Sequence, residues 1–356
     1  MSSASSPRGG APLPPLVVTS ITLAIATAGG AVFAALGLPA PWLSGAVVAV
    51  TLAIALGAPA RVPDPMRDAV LFGLGVSMGG SVTPETLGAM ARWPLSVAML
   101  VLTVLAVMVA VTLLLRRAGW DRDTAILASA PGALSTVLAL AAASGLDARR
   151  VVVVQCVRLI ALVAFVPSLV WAIEPRGGAL AAAHPAGWFP EPVQWLALLA
   201  ASALGAIVFK RVGAPAPLMI GALVGSALLH GPGIVTTQVP DIALAVGFTV
   251  LGAFIALRFQ GVTRAELARD FGLAIAALAV AVVLSTLGAL ATVAMTGLPA
   301  GPVLIAFAPG GVEAMIGIAF ALDLDPAYVG SHHVLRFVLI ALLLPLVMRR
   351  MGARSA

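Results

Sequence analysis

Charge is scarce in this chain. Only 10% of the 356 residues are Asp, Glu, Lys or Arg, whereas 61% are hydrophobic, and the mean hydropathy is +1.11. A water-soluble domain of this size cannot bury that much apolar surface, so a soluble globular fold is excluded. Cysteine is nearly absent. The lone Cys156 excludes an internal disulfide and any cysteine-based metal site. Histidine is limited to His184, His230, His332 and His333. Only the last two are neighbours, and adjacent helix positions point to different faces, which makes a poor metal site. A copper enzyme with several imidazole ligands is therefore not supported, and no metal or cofactor is expected. No polar stretch is long enough for a soluble output or DNA-binding domain; the longest is 174–192. The net charge of +6 comes from basic residues scattered among short loops. That is how membrane topology signals look, and it argues against nucleic acid as a partner.

What the chain has instead is a series of near-unbroken apolar runs of membrane-spanning length, the mark of an all-α polytopic membrane protein. Its 36 Gly and 26 Pro suit such a bundle, where Gly permits close helix contact and Pro marks kinks and ends. Residues 1–15 are rich in Ser, Pro and Gly and are expected to be disordered. The run from Leu16 to Leu36 is too long for a signal-peptide core and reads as the first uncleaved span. One stretch occurs twice: ASAPGALSTV at 128–137 and AFAPGGVEAM at 306–315. Aligning Pro131 with Pro309 also aligns Asp147 with Asp325, Arg158 with Arg336 and Pro167 with Pro345. Upstream, PAPW at 39–42 matches PAPL at 215–218, with Gly45 opposite Gly221. This is an internal duplication. The first membrane repeat covers 16–173, a linker 174–192, the second repeat 193–350, and a short tail 351–356. Trp171, Trp188 and Trp195 cluster about the linker, as aromatics do at a membrane interface.

Each repeat reads as six apolar elements, with the Pro-Gly break in the fifth. The basic residues decide whether that element crosses the membrane. Arg158 and Arg336 lie within spans, leaving 18 of the 20 Lys and Arg. If the fifth element crosses, they divide about 10 to 8 between the two faces. If it enters and returns, the division is about 16 to 2, with only Arg92 and Arg176 opposite, and the positive-inside rule prefers this second arrangement. Each repeat then has five transmembrane helices plus one broken re-entrant element, and the two repeats are inverted. Both termini are cytoplasmic. A half-element of ~10 residues reaches ~15 Å, half of the ~30 Å hydrocarbon core, so the two Pro-Gly tips meet near the midplane. Broken helices meeting there in inverted repeats are the architecture of secondary transporters.

The paired ASAPGALS and FAPGGVEAM motifs resemble the bacterial AbrB membrane-protein family over nearly the whole chain after residue 15. That family carries the labels of ammonia monooxygenase and regulator of gene expression, and it is similar to the cation–proton antiporters and anion transporters. It shares its name with a small soluble DNA-binding regulator, and nothing in this chain looks like that domain. The resemblance implies a bacterial inner (plasma) membrane protein.

The candidate solute site lies at the breaks: Ser129, Pro131, Gly132, Ser135 and Thr136 in the first repeat, and Pro309, Gly310 and Gly311 in the second. A helix starting after each break presents free N–H groups and a positive dipole end. Arg158 and Arg336 sit about ten residues into their spans, where a guanidinium suits a carboxylate or sulfonate. The alternative for them is a structural ion pair. Glu313, in the first turn after the second break, is the candidate proton or cation site, the alternative being a helix cap. His333, which aligns with Gln155, is a second candidate for ion coupling. The expected function is ion-coupled secondary transport of a small anionic solute. The expected partners are the bilayer, the solute and H+ or Na+, with a homodimer left open. Alternatives are a membrane protein acting in regulation of gene expression and, less favoured, a monooxygenase-like enzyme.

Overall fold

The computed structural model describes residues 13–80, 93–131, 137, 146, 148–173, 191–214 and 216–352. Among the described residues, all regular structure is helical. The first half contributes α1 (Pro15–Ala35), α2 (Pro41–Ala55), α3 (Asp64–Gly79), α4 (Trp93–Arg117), α5 (Arg122–Ser129) and α6 (Ala148–Ile173). The second contributes α7 (Pro192–Arg211), α8 (Pro217–His230), α9 (Asp241–Ala256), which tightens into a 3-10 turn at Leu257–Phe259, and α10 (Arg264–Thr296). It ends with α11 (Ala300–Phe307), α12 (Val312–Ala321) and α13 (Pro326–Gly352). Among the described residues, seven segments are long and apolar enough to cross a membrane by length and composition: α1, α4, α6, α7, α9 with its 3-10 turn, α10 and α13. They carry large exposed apolar side chains such as Leu102, Phe165, Leu204 and Leu287, which water would penalise and lipid would not. Helices α2, α3 and α8 have only 15, 16 and 14 residues.

The duplication is visible in backbone detail. Ala40 and Ala216 precede the opening prolines of α2 and α8, and both are left-handed, at φ 49° and 44°. A proline disfavours the right-handed helical region for the residue before it, and the left-handed alternative costs an alanine roughly 1–2 kcal/mol. The same strain at the same place in both halves shows that the turn is built in. Each left-handed alanine then accepts two N–H bonds: Ala40 O from Leu43 and Ser44, Ala216 O from Met219 and Ile220. The α1–α2 and α7–α8 hairpins also close on matching glycines. A Cβ on Gly29 would lie 2.3 Å from Gly45 O, and one on Gly205 would lie 2.1 Å from Gly221 O. Neither pair tolerates a side chain.

The third helix of each half packs on the opposite half. Helix α3 lies against α8, and α9 lies against α2. A Cβ on Gly75 of α3 would come within 2.3 Å of Met219 O, and one on Gly252 of α9 within 2.6 Å of Leu43 O. Gly75 and Gly252 are equivalent positions, as are Leu43 and Met219, so the two contacts are one contact made twice. Both helices start the same way, from an extended proline, Pro63 or Pro240, followed by an aspartate in the first turn. There the carboxylate faces the positive helix end.

Helices α4 and α10, equivalent in the duplication, pack on each other, with Thr103 of α4 against Gly288 of α10. Their ends are tied through α6. The Arg150 guanidinium covers the Trp120 ring, just beyond α4, at 5.2 Å. Its neighbour Arg149 pairs with Glu266 at the start of α10 at 2.8 Å. At the start of α4, Trp93 stacks edge-on against Tyr328 at the start of α13, with centroids 5.4 Å apart. Ser96 of α4 joins Tyr328 and also lies 2.9 Å from His332 Nε2. In α6, Pro167 lacks the N–H that would bond Val163 O, and the Ser44 hydroxyl of α2 supplies the missing donor at 2.9 Å. That bond docks the α1–α2 hairpin on the helix that carries Arg158.

Candidate functional site

Both helices that end at a Pro-Gly break stop for the same local reason. Helix α5 starts from Asp121, whose side chain accepts the Thr124 N–H, and runs eight residues to Ser129. Ala130 is extended, at φ −64° and ψ 119°, because Pro131 follows. Helix α11 runs eight residues to Phe307, and Ala308, before Pro309, is extended at φ −56° and ψ 133°. At ~1.5 Å per residue each is ~12 Å long, too short to cross a bilayer. Proline gives no N–H, so the last carbonyls before each break lack helical donors.

An arginine from the neighbouring long helix fills that role in each half. Arg158 Nη2 donates to Ala130 O at 3.0 Å and to Gln155 Oε1 at 2.6 Å. Gln155 Nε2 donates to Ala130 O at 3.0 Å and to Leu127 O at 3.3 Å. In the second half, Arg336 Nη1 donates to Ala308 O at 2.6 Å, and Nη2 donates to Gly310 O and, at 2.7 Å, to His333 Nδ1. His333 Nε2 lies 3.0 Å from Ile305 O. The two networks share three equivalent bonds, with His333 where the first half has Gln155: arginine to the Ala130 or Ala308 carbonyl, arginine to the Gln155 or His333 side chain, and that side chain to the Leu127 or Ile305 carbonyl. Arginine has no acceptor and stays charged, so His333 Nδ1 must accept and Nε2 must carry the proton given to Ile305 O. His333 is thus the neutral Nε2–H tautomer, with the acceptor-then-donor pattern of an amide.

Arg158 and Arg336 are 5% and 1% exposed. No carboxylate among the described residues pairs with either. Among the described residues, the fully buried Nε of Arg336 has no hydrogen-bond partner. Carbonyl dipoles satisfy part of each guanidinium, yet two buried positive charges with no counter-charge among the described residues are costly.

The remaining candidates distribute unevenly. Pro131, Pro309, Gly310 and Gly311 are buried at the breaks. The Ser129 hydroxyl donates to Ile126 O at 2.8 Å and accepts from Thr112 at 3.1 Å, so it ties α5 to α4. Gly132, Ser135 and Thr136, like Asp147, lie outside the described residues. A Cβ on Gly310 would strike the Met315 side chain, at 2.6 Å from its methyl, whereas one on Gly311 would make only ordinary contacts. Gly311 is the N-cap of α12, with no side-chain cap. Glu313 follows in the first turn, where the helix dipole favours its carboxylate. Its partner is Arg258, from the 3-10 turn after α9, at 3.4 Å; the two side chains are 20% and 25% exposed. Arg258 also leans on the Phe254 ring, at 5.8 Å, and its carbonyl accepts from Cys156 Sγ at 3.0 Å. Cys156 lies between Gln155 and Arg158 on α6, so the Arg258–Glu313 pair borders the first arginine network. Sequence reasoning treated Arg258 as a loop charge; its place directly after an apolar run was the available signal. Among the described residues, no three metal-ligating side chains gather.

The fold and site define a helical, membrane-type protein in which two short helices stop at a Pro-Gly break, each held there by an arginine. The sequence profile described as "Transition state regulatory protein AbrB" matches residues 42–352. The chain belongs to this AbrB family. It is similar to the uncharacterized protein YhjN of Bacillus subtilis (strain 168), 28% identical over 91% of this chain and 90% of that one. It is also similar to the protein named "Putative regulator AbrB" of Escherichia coli (strain K12), 29% identical over 69% of each chain.

Proposed function

We propose that this protein is an ion-coupled secondary transporter for a small anionic solute, bound between the two Pro-Gly breaks. The observation that carries the reading is the pair of buried arginines, equivalent in the two halves, with no carboxylate partner among the described residues. An anion seated between them would supply the missing counter-charge, and the planar guanidinium fork suits a carboxylate or sulfonate. Both arginines are covered in this conformation, which fits an occluded state of an alternating-access cycle.

The membrane arrangement belongs to the same proposal. The Arg150–Trp120 contact brings together the two ends of the first broken element, and Trp93–Tyr328 together with the α4–α10 packing does so for the second. These contacts support re-entrant elements entering from opposite faces. Equivalent helices α4 and α10 packed antiparallel support inverted repeats. The basic residues of the Arg116–Arg122 and Arg149–Arg150 loops then fall on the cytoplasmic side of the inner membrane, together with both termini. The regulator name of the Escherichia coli relative is compatible with an indirect effect, through movement of an effector across the membrane.

The test is a thermal-stability screen of detergent-purified protein with small carboxylates, sulfonates and inorganic phosphate beside neutral isosteres. A ligand stabilises the state it binds. Stabilisation by an anion, lost in Arg158→Lys or Arg336→Lys protein of normal folding yield, is the expected result. Stabilisation by neutral or cationic solutes and by no anion overturns it.

A further inference from the structure

A second feature lies on the outer face of the bundle, away from the arginine networks. A cavity of about 310 Å³ opens between α4, α5 and α13, within the usual range for a ligand pocket of roughly 300–1,000 Å³. Leu105, Val109 and Leu113 of α4 face Val347 of α13, with the buried Ile126 and Leu344 beneath them. Arg116 and Arg122 line the same cavity at its other end. From Leu105 to Arg116 the groove follows about 16 Å of helix at 1.5 Å per residue, close to the ~15 Å of one leaflet's hydrocarbon. Its walls are therefore apolar over the depth of an acyl chain and cationic where a headgroup would lie. Both arginines are exposed, and neither has a hydrogen-bond or ion-pair partner among the described residues. The neighbouring Asp121 carboxylate is already engaged by the Thr124 N–H at 2.8 Å.

We propose that this groove binds an anionic glycerophospholipid, with one acyl chain along α4 and its phosphate between Arg116 and Arg122. Basic pockets between helices at a membrane surface are where such headgroups settle. The lipid would brace more than a surface. Thr112 also lines the groove and donates to Ser129 Oγ at 3.1 Å, one residue from the extended Ala130. A chain lying there holds the short helix α5 between α4 and α13, so bilayer composition acts on the first break from outside. This site is separate from the solute reading and stands or falls without it.

The test uses full-length protein stripped of lipid in detergent. It is titrated with phosphatidylglycerol, with phosphatidylcholine of the same chains, and with inorganic phosphate. Bound lipid is counted by native mass spectrometry, and thermal unfolding is read in parallel. Phosphatidylglycerol should bind and stabilise at least tenfold more tightly than phosphatidylcholine, and phosphate alone should do neither. Arg116→Gln should weaken phosphatidylglycerol about fivefold, from ~1 kcal/mol per basic residue near a lipid surface. Val109→Trp fills the groove from a position already 60% exposed and should abolish the effect without lowering the basal melting temperature. Equal affinity for the two lipids overturns the headgroup site. A full effect from phosphate alone makes it a free-anion site. Val109→Trp protein that retains phosphatidylglycerol removes the groove. A groove masked by a second copy of the chain would show as a dimer that Val109→Trp dissociates, and that also overturns the proposal. If Arg116→Gln fails to fold, Val109→Trp decides.

Discussion

Replacing His333 by glutamine should be nearly silent, although this histidine is completely buried in the span that carries Arg336. The reason is the network in the first half. There Gln155 accepts from Arg158 through Oε1 and donates to Leu127 O through Nε2. At His333 the same two tasks fall to Nδ1, at 2.7 Å from Arg336, and Nε2, at 3.0 Å from Ile305 O. A glutamine has both groups at similar reach, so His333→Gln should cost less than about 1 kcal/mol. His333→Leu removes both groups at once. It strands one guanidinium N–H in a buried site, worth about 1–3 kcal/mol and more for a charged group, and leaves the Ile305 carbonyl with only the Ala308 N–H at 3.2 Å, for a total of about 2–4 kcal/mol. At roughly 2 °C per kcal/mol, the leucine variant should melt about 4–8 °C below wild type, and the glutamine variant within about 2 °C. The assay is thermal unfolding in one detergent, with folding yield recorded alongside. A glutamine variant as unstable as the leucine variant would refute the equivalence. So would a stable glutamine variant that no longer accumulates solute against a proton gradient, because the histidine must then titrate during transport.

Other outcomes follow from the same geometry. Gly75→Ala and Gly252→Ala each push a methyl to within 2.3 or 2.6 Å of a backbone carbonyl, so each should destabilise by about 1–3 kcal/mol. Gly73→Ala, where a Cβ meets nothing within 4 Å, is the control and should not destabilise. Glu313→Gln should leave solute binding intact while abolishing accumulation driven by a pH or Na+ gradient in liposomes. Accumulation at the wild-type level would make Glu313 a structural cap on α12 held by Arg258. In a Cys156→Ser background, single cysteines at Arg122 and Arg149 should react with an impermeant reagent from the same side of the membrane. Labelling from opposite sides would remove the re-entrant reading.

The breaks were legible in the sequence almost to the residue. Pro131 and Pro309 stop α5 and α11 where a proline must, and the alanine before each is extended. That Arg158 and Arg336 lie inside long helices was legible too, because a charge in an apolar run stands out. Their acceptors were not. A guanidinium that bonds a main-chain carbonyl leaves no mark on the acceptor's residue type, so Ala130, Ala308 and Gly310 looked like any small residue. The tie between Arg258 and Glu313 was hidden because the turn that aims Arg258 inward comes after the apolar run has ended. Gly75 and Gly252 could have been aligned, yet hydropathy does not tell which helix a glycine faces. The packing of α3 across the chain midpoint therefore needed the structure.

That crossing governs how the chain can be made. Helix α3 packs against α7, α8 and α9, all synthesised after it. When Gly79 leaves the ribosome, its main docking partner, which begins at Pro217, is still about 140 residues away. At ~5–20 residues per second that gap lasts on the order of ten seconds. For that interval a 16-residue helix with two aspartates and an arginine in its first turns has no protein neighbour for its small-residue face. The first half cannot be completed as a unit ahead of the second, and a chain cut between the halves could mature only if both pieces were produced together in the same membrane.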